Sequence, residues 1–329
     1  MRSDRWKKKK KKWLYILSVL VLGVGLFFGW FYGTTSGHDL RKMIAGSILS
    51  SQHPWYAKLF LSDAEIAKLQ AAIYAPPSTN SNAAEAFAST GKSQSVTVET
   101  VETSNYTAKV MKVTDPTTIH LVSSRLSNQG QPLSDLISEN KAVAGINAGG
   151  FEDANGTGRG GTVIGIVIAD GVVKSEPGFN RNSRYLVGGF KKSGQFITGS
   201  YSINELQDMG VTQAISFGPQ LLVDSKDVVT DEIESAYGWA PRTGIGQDAQ
   251  GNVYMIATDG RFYWNKQHRG ASMNDMVKMF KQLGCVNAFA LDGGGSTTMI
   301  NNGELQLKPA TDTAVGMRYL PNAFVVIPH

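Results

Sequence analysis

Six consecutive lysines, Lys7 to Lys12, run directly into WLYILSVLVLGVGLFFGWFY, the twenty residues Trp13 to Tyr32 that carry no charge. In a helix that run is about as long as the hydrocarbon core of a bilayer is thick. Trp13, Tyr15, Trp30 and Tyr32 stand near its two ends, where aromatic rings favour the membrane–water interface. Lysines on the N-terminal flank predict a cytoplasmic N-terminus and an external C-terminus. A cleavable signal has a shorter apolar region and small residues at the cut. Here the run leaves through Phe31 and Tyr32 into GTTSG, with no A-x-A. The sequence therefore predicts a single-pass, uncleaved anchor in the cell membrane with the bulk of the chain extracellular.

The lysines also account for the basic balance. Residues 1–12 hold eight basic side chains against Asp4, so they contribute +7 to a net charge of +5, and the other 317 residues sum to −2. A nucleic-acid-binding body needs basic side chains that follow a phosphate backbone, and the body of this chain is faintly acidic. The sole cysteine, Cys285, excludes an internal disulfide and a cysteine zinc site, and reads as a small core residue.

Texture divides the chain further. Residues 33–74 carry helical patterning, and Ser62 with Glu65 three positions on forms a capping-box pattern; this reads as a helical stalk. Residues 75–95, rich in Pro, Ser, Asn and Ala, read as a flexible linker. From Val96 to His329 short β-like segments alternate with Gly, Asn and Asp turns. Helices are few there: Pro132–Glu139, Ile203–Met209, and SMNDMVKMFKQLG, with Ser272 as N-cap, Asp275 at N3 and Gly284 as the stop. Met273, Met276, Val277, Phe280 and Leu283 share one face of this last helix, a core stripe. The fold class is α+β: a β-rich single domain over 96–329 with few helices, preceded by one transmembrane helix and the stalk.

Three stretches carry chemistry. In APRTGIGQDAQGNVYMIATDGR, segments Thr243–Gly246 and Val253–Thr258 read as a hairpin, which brings Arg242 and Asp259 out together at its open end. A surface salt bridge and a functional pair both fit that spacing. In NAFALDGGGSTTMI, Asp292 ends an apolar strand and three glycines follow, either a tight turn or backbone N–H groups offered to an anion. In INAGGFEDANGTGRGG, Asn147 ends a strand ahead of a loop with Glu152, Asp153, Asn155 and Arg159. Asp153, Asn155, Thr157 and Gly158 imitate the first half of an EF-hand loop, but Ile164 stands where its closing Glu belongs. The five histidines include no pair at metal-ligand spacing, and Ser296 lies in no G-x-S-x-G elbow.

INAGGF, SFGPQLLVD, APRTGIG, ATDGR, HRGASMNDMVKMFKQLGCVNAFALDGGGSTTMI and RYLPNAFVV together resemble, in order, the phosphodiester glycosidase family. That family includes the animal "uncovering enzyme" and bacterial relatives labelled exopolysaccharide-biosynthesis proteins. The resemblance spans most of Ala142–Ile327 and is most specific over Pro241–Met299. It implies hydrolysis of the sugar C1–oxygen bond in a sugar-1-phosphodiester. Family positions fall on Asn147, Gly149, Phe151, Gly218, Pro219, Arg242, Asp259, Gly260, Arg269, Asp292, Gly293, Gly294, Ser296, Arg318 and Asn322. Gly150 departs from it, standing where many relatives carry a bulkier side chain.

The resemblance implies catalytic roles for Asp292, Asp259 and Arg242, with Glu152 as a further acid. It implies substrate binding by Asn147, Arg269, Arg318, Gly293, Gly294, Ser296 and Asn322. No cofactor is required, a structural divalent cation is compatible with the loop oxygens, and the metal ligands are unassigned. The expected partners are a carbohydrate polymer, teichoic-acid-like or capsular, or a smaller sugar-1-phosphodiester, and the membrane through residues 13–32, without nucleic acid. Two other classes stand beside this one: a non-catalytic glycan-binding or exopolysaccharide-assembly protein, and a metal-dependent phosphodiesterase that cuts P–O.

Overall fold

A computed structural model describes residues 2–49, 51, 53–82, 95–126, 129–152, 159–175, 178–261, 268–311 and 313–329. The loop positions Asp153, Asn155, Thr157 and Gly158, and most of the 75–95 linker, lie outside the described residues.

The uncharged run forms one helix, α1 (Arg2–Gly33), whose Lys9–Gly33 stretch is long and apolar enough to cross a membrane by length and composition. Its large apolar side chains, Leu14, Leu17, Leu20, Leu22 and Leu26 among them, are exposed on all sides. Water disfavours such a surface; lipid does not. α2 (Thr35–Leu49) follows after a single residue, and Arg41 ties it back by donating to the Phe31 carbonyl and stacking on the Tyr32 ring at 4.8 Å. α3 (Asp63–Tyr74) starts on the predicted capping box, with Ser62 and Glu65 each bonded to the other's backbone N–H.

Neither helix stands off as a stalk. Both pack on α6 (Asp231–Tyr237), a helix of the β-rich domain, through Ala45, Ile66 and Leu69 against Ile233, Ala236 and Tyr237. Nor are residues 79–82 a free spacer. Ser81 exchanges hydrogen bonds with Thr198, Asn80 accepts the Ser200 N–H, and Asn82 donates to Asp224. The Asn and Ser side chains that mark this stretch as linker by composition also supply the groups that fasten it to a strand edge.

The domain is built from three antiparallel sheets. The seven-stranded one runs β1 (Val96–Glu102), β2 (Thr107–Val113), β13 (Val253–Thr258), β12 (Thr243–Asp248), β14 (Cys285–Leu291), β10 (Gln220–Val223) and β11 (Lys226–Asp227). A five-stranded sheet is ordered β16 (Glu304–Leu305), β15 (Met299–Asn301), β4 (Ala144–Asn147), β17 (Asn322–Val326), β3 (Ile119–Ser123). The third is β6 (Val172–Val173), β5 (Val167–Ala169), β9 (Val211–Ser216), β7 (Tyr185–Lys191), β8 (Phe196–Tyr201). Met111, Ile146, Phe190, Phe196, Phe289 and Phe324 meet in the common core, nearly all fully buried. A Cβ on Gly188 would come within 2.6 Å of the Phe289 ring, so a bare backbone there lets β7 lie against the first sheet.

α7 (Met273–Gln282) buries Met273, Met276, Val277 and Phe280 as the stripe predicts, with Ser272 and Asp275 closing the capping box. Cys285 is buried, and burial pushes its thiol pKa far up, as fits an inert core residue. The Thr243–Gly246 and Val253–Thr258 hairpin forms in the expected register, Thr243 opposite Ala257. β14 lies on the other side of β12, with Thr243 also opposite Leu291. Asp259 and Asp292 therefore leave the same end of the sheet two strands apart, about 10 Å from main chain to main chain.

Candidate active site

Asp292 sits where β14 breaks off, and two contacts fix its main chain. Its N–H donates to the Ala148 carbonyl at 2.9 Å, and its own carbonyl accepts from the Asn147 side-chain amide. Asn147 Oδ1 in turn accepts from the Thr243 hydroxyl (3.0 Å) and the Thr298 N–H (3.1 Å). Asn147, read from the resemblance as a substrate contact, is thus 1% exposed with both ends of its amide engaged by the protein. It pins the strand ends on which Asp292, Thr243 and Thr298 sit.

The carboxyl of Asp292 is raised from 3.8 to about 6, because burial penalises its charge. Ser296, Arg318, the Gly293 N–H and Arg261 each pull against that shift without cancelling it. A carboxylate poised near neutrality by burial, with cations beside it, is a candidate for proton transfer or nucleophilic attack.

The triple glycine is not an anion nest. The Gly293 N–H turns to Asp292, Gly294 donates to the Pro241 carbonyl at 2.8 Å, and Ser296 and Thr297 donate back to Gly293 and Gly294 in a 3₁₀ turn. The glycines serve a steric need instead. A Cβ on Gly293 would come within 2.8 Å of Pro241 O, and one on Gly295 within 3.2 Å of Arg318 Cδ. Gly294, at φ +60°, would put its Cβ 3.0 Å from the Arg261 guanidinium. Bare backbone brings Arg261 and Arg318 beside Asp292. Arg318 also lies 5.3 Å from the Phe151 ring centroid.

Asp259 lies at the other strand end. Its carboxylate accepts the Thr107 N–H at 2.7 Å and the His268 Nδ1–H at 2.9 Å, with these two side chains only 17% and 16% exposed. His268 was not singled out by its spacing: it is nine residues away, and residues 262–267 lie between. Arg269 stacks on Trp239 at 4.1 Å, and its carbonyl accepts the Arg261 N–H at 3.3 Å.

Arg242 corrects the hairpin expectation. Its main chain does pair with Thr258 beside Asp259. Its guanidinium turns inward, donating to the carbonyls of Tyr237, Gly238 and Ala271, and burial lowers its pKa to about 10. It braces the turn after α6 and makes no hydrogen bond to Asp259 among those seen. Strand register fixes a backbone neighbour, not the reach of a five-torsion side chain.

Asn322 accepts the Gly149 N–H at 2.7 Å through Oδ1, while its buried Nδ2 has no partner among the described residues. Glu152 stands exposed, its N–H on the Thr162 carbonyl. Gly150 is explained by Phe217, whose ring would lie 2.7 Å from a Cβ there. Among the described residues, no group of three or more His, Cys, Asp or Glu side chains is placed to hold a metal ion.

The family model described as phosphodiester glycosidase matches residues 140–327, more than half the chain and all of the constellation around Asp292, Asp259 and Arg318. The chain belongs to the phosphodiester glycosidase family. Mouse N-acetylglucosamine-1-phosphodiester alpha-N-acetylglucosaminidase is 28% identical over 166 residues, 46% of this chain and 31% of that protein. The human protein of that name is 28% identical over 178 residues, 49% of this chain and 32% of that protein. The SPbeta prophage-derived uncharacterized protein YomE of Bacillus subtilis is 30% identical over 168 residues, 48% of this chain and 24% of its own length. The chain spans about a third of the length of the curated relatives it matches, or less. Among solved structures, the zebrafish catalytic domain of that glucosaminidase, auto-inhibited by its pro-peptide, superposes with a TM-score of 0.59 at 19% identity. It covers 77% of this chain and 88% of that one, a likeness of fold. The matched range lies within the β-rich domain; α1, α2 and α3 lie outside it.

Proposed function

We propose that this chain is a membrane-anchored, outward-facing hydrolase that cleaves the sugar C1–oxygen bond of sugar-1-phosphodiesters in cell-envelope glycans. The observation that carries the reading is Asp292: a half-buried carboxyl whose pKa is raised to about 6, held beside Arg261 and Arg318 by glycines that admit them. A phosphodiester brings one negative charge, and guanidinium groups recognise it through charge-assisted bonds. Arg318 and Arg269 serve as that clamp, with Arg261 added to them by its position.

Water adds its oxygen to C1 as the bond from C1 to the phosphate oxygen breaks, and the phosphate leaves as a monoester. Positive charge develops at the ring carbon, so an ionised Asp292 stabilises the transition state and directs the attack. Asp259, by accepting from Nδ1, fixes the tautomer of His268 and leaves Nε2 as the atom that exchanges a proton. The phosphate is already a stable anion, which lessens the need for a strong acid on the leaving group. The α1 helix supports the membrane assignment by its length and composition, and the polymer substrate follows from an enzyme tethered at a cell surface.

The test is turnover of a panel of sugar-1-phosphodiesters, UDP-linked sugars included, by the full chain in detergent. Release of free sugar that Asp292→Asn reduces by at least about 10³-fold, with binding retained, is the expected result. Binding without turnover by the wild type would instead favour a glycan-binding protein.

A further inference from the structure

The Trp239–Arg269 pair, joined to the site through Arg261, is held by a helix that the family match does not include. α2 runs against α6 in backbone contact. A Cβ on Gly46 would collide with the Ser235 carbonyl, and one on Gly238, at φ +55°, would collide with Ser47 and the Met43 carbonyl. Both positions are glycine, so the helix and the turn approach each other closely, with the Ser47 hydroxyl at their junction. At that junction Ser47 Oγ accepts the Trp239 N–H at 2.7 Å and donates to the Met43 carbonyl at 2.8 Å.

From there the contacts lead into the site. The Trp239 ring lies 4.1 Å from the Arg269 guanidinium, within the range where a ring face holds a cation. Arg269 Nε is buried with no hydrogen-bond partner among the described residues, so the indole is the contact seen to orient that group. The Arg269 carbonyl accepts from Arg261, whose guanidinium rests against Gly294 beside Asp292.

We propose that Ser47 is a positioning residue of the active site: by fixing the Trp239 turn it holds Arg269 ready for the substrate phosphate. α2 thereby completes the phosphate-binding wall from outside the glycosidase domain. The proposal rests on the reading that Arg269 binds a phosphodiester. An arginine that is already ordered loses less freedom when the ligand arrives. The effect of loosening it falls chiefly on substrate affinity, because the contacts from Ser47 reach Asp292 only by way of Arg269 and Arg261.

The experiment uses the full chain in detergent with Ser47→Ala, Ser47→Thr and Trp239→Leu. KM and kcat are measured on the best substrate of the panel, and UDP-N-acetylglucosamine binding is measured in the Asp292→Asn background. Ser47→Ala is expected to raise KM and weaken binding about three- to tenfold, with kcat within about twofold of wild type, and Trp239→Leu to weaken binding at least as much. Ser47→Thr, which keeps the hydroxyl, restores both. Unchanged KM and binding in Ser47→Ala overturn the proposal, as does a loss of kcat that tracks a fall in Tm.

A second readout is independent of turnover. With 5-fluorotryptophan incorporated, the resonance that disappears in Trp239→Leu shifts in Ser47→Ala and returns in Ser47→Thr. An unmoved resonance overturns the positioning role whatever the enzyme does. An inert wild type would sink the functional reading, and the resonance then decides alone whether Ser47 fixes Trp239.

Discussion

Asp292 ionises near pH 6 because burial opposes its charge, and that sets two expectations of opposite kind. Activity that needs the carboxylate rises through about pH 6, so log kcat/KM against pH climbs with unit slope below it and levels above. Stability moves the other way. A carboxyl whose folded pKa is raised above its ordinary 3.8 contributes fully below that value, and the contribution is lost as pH rises through about 6. Asp292→Asn is therefore expected to be more stable than wild type at pH 8 by roughly 2–3 kcal/mol, with the gap closing below pH 4, read by urea unfolding at both pH values. Asp292 was legible in the sequence because an acid at the end of an apolar strand, followed by glycines, is an unusual expense of backbone freedom. The reason for the glycines was not legible, since Arg261 and Arg318 reach them only in three dimensions. His268 was missed for the same reason: its partner is set by how the chain returns to Asp259, which no spacing encodes.

Arg242 is the brace on which the elements around the site depend. It satisfies carbonyls of Tyr237, Gly238 and Ala271, so it joins the end of α6 to the turn ahead of α7. Arg242→Met removes three donors' worth of contact from a buried place and is expected to cost about 3 kcal/mol in urea unfolding. A loss of activity without a loss of stability would instead place Arg242 on the substrate. Capping boxes at Ser62 and Ser272 and the β12–β13 hairpin were readable because each is written within a few residues. β8 and β10 were not, one interrupted by Gly199 and the other only four residues long. α6 was not read from the sequence, although it is as long as the Leu133–Glu139 helix that was. Val163–Ala169 reads as one strand, yet only Val167–Ala169 forms it, because Gly165 takes φ +74°.

At the scale of the molecule, α1 and α2 join with one residue between them, and α2 is locked onto the domain through Gly46 and Gly238. The stalk reading failed because composition reports helicity but not which surface a helix faces. Full-length protein is expected in the membrane fraction, resistant to high salt and released by detergent, whereas the chain from residue 34 onward loses that association. Recovery of the full chain in the soluble fraction would contradict the anchor. The central claim is the bond that breaks, and hydrolysis in oxygen-18 water reads it directly. Incorporation of the label at sugar C1, abolished in Asp292→Asn, is the predicted result. Label on the released phosphate would mean P–O cleavage and would contradict the account.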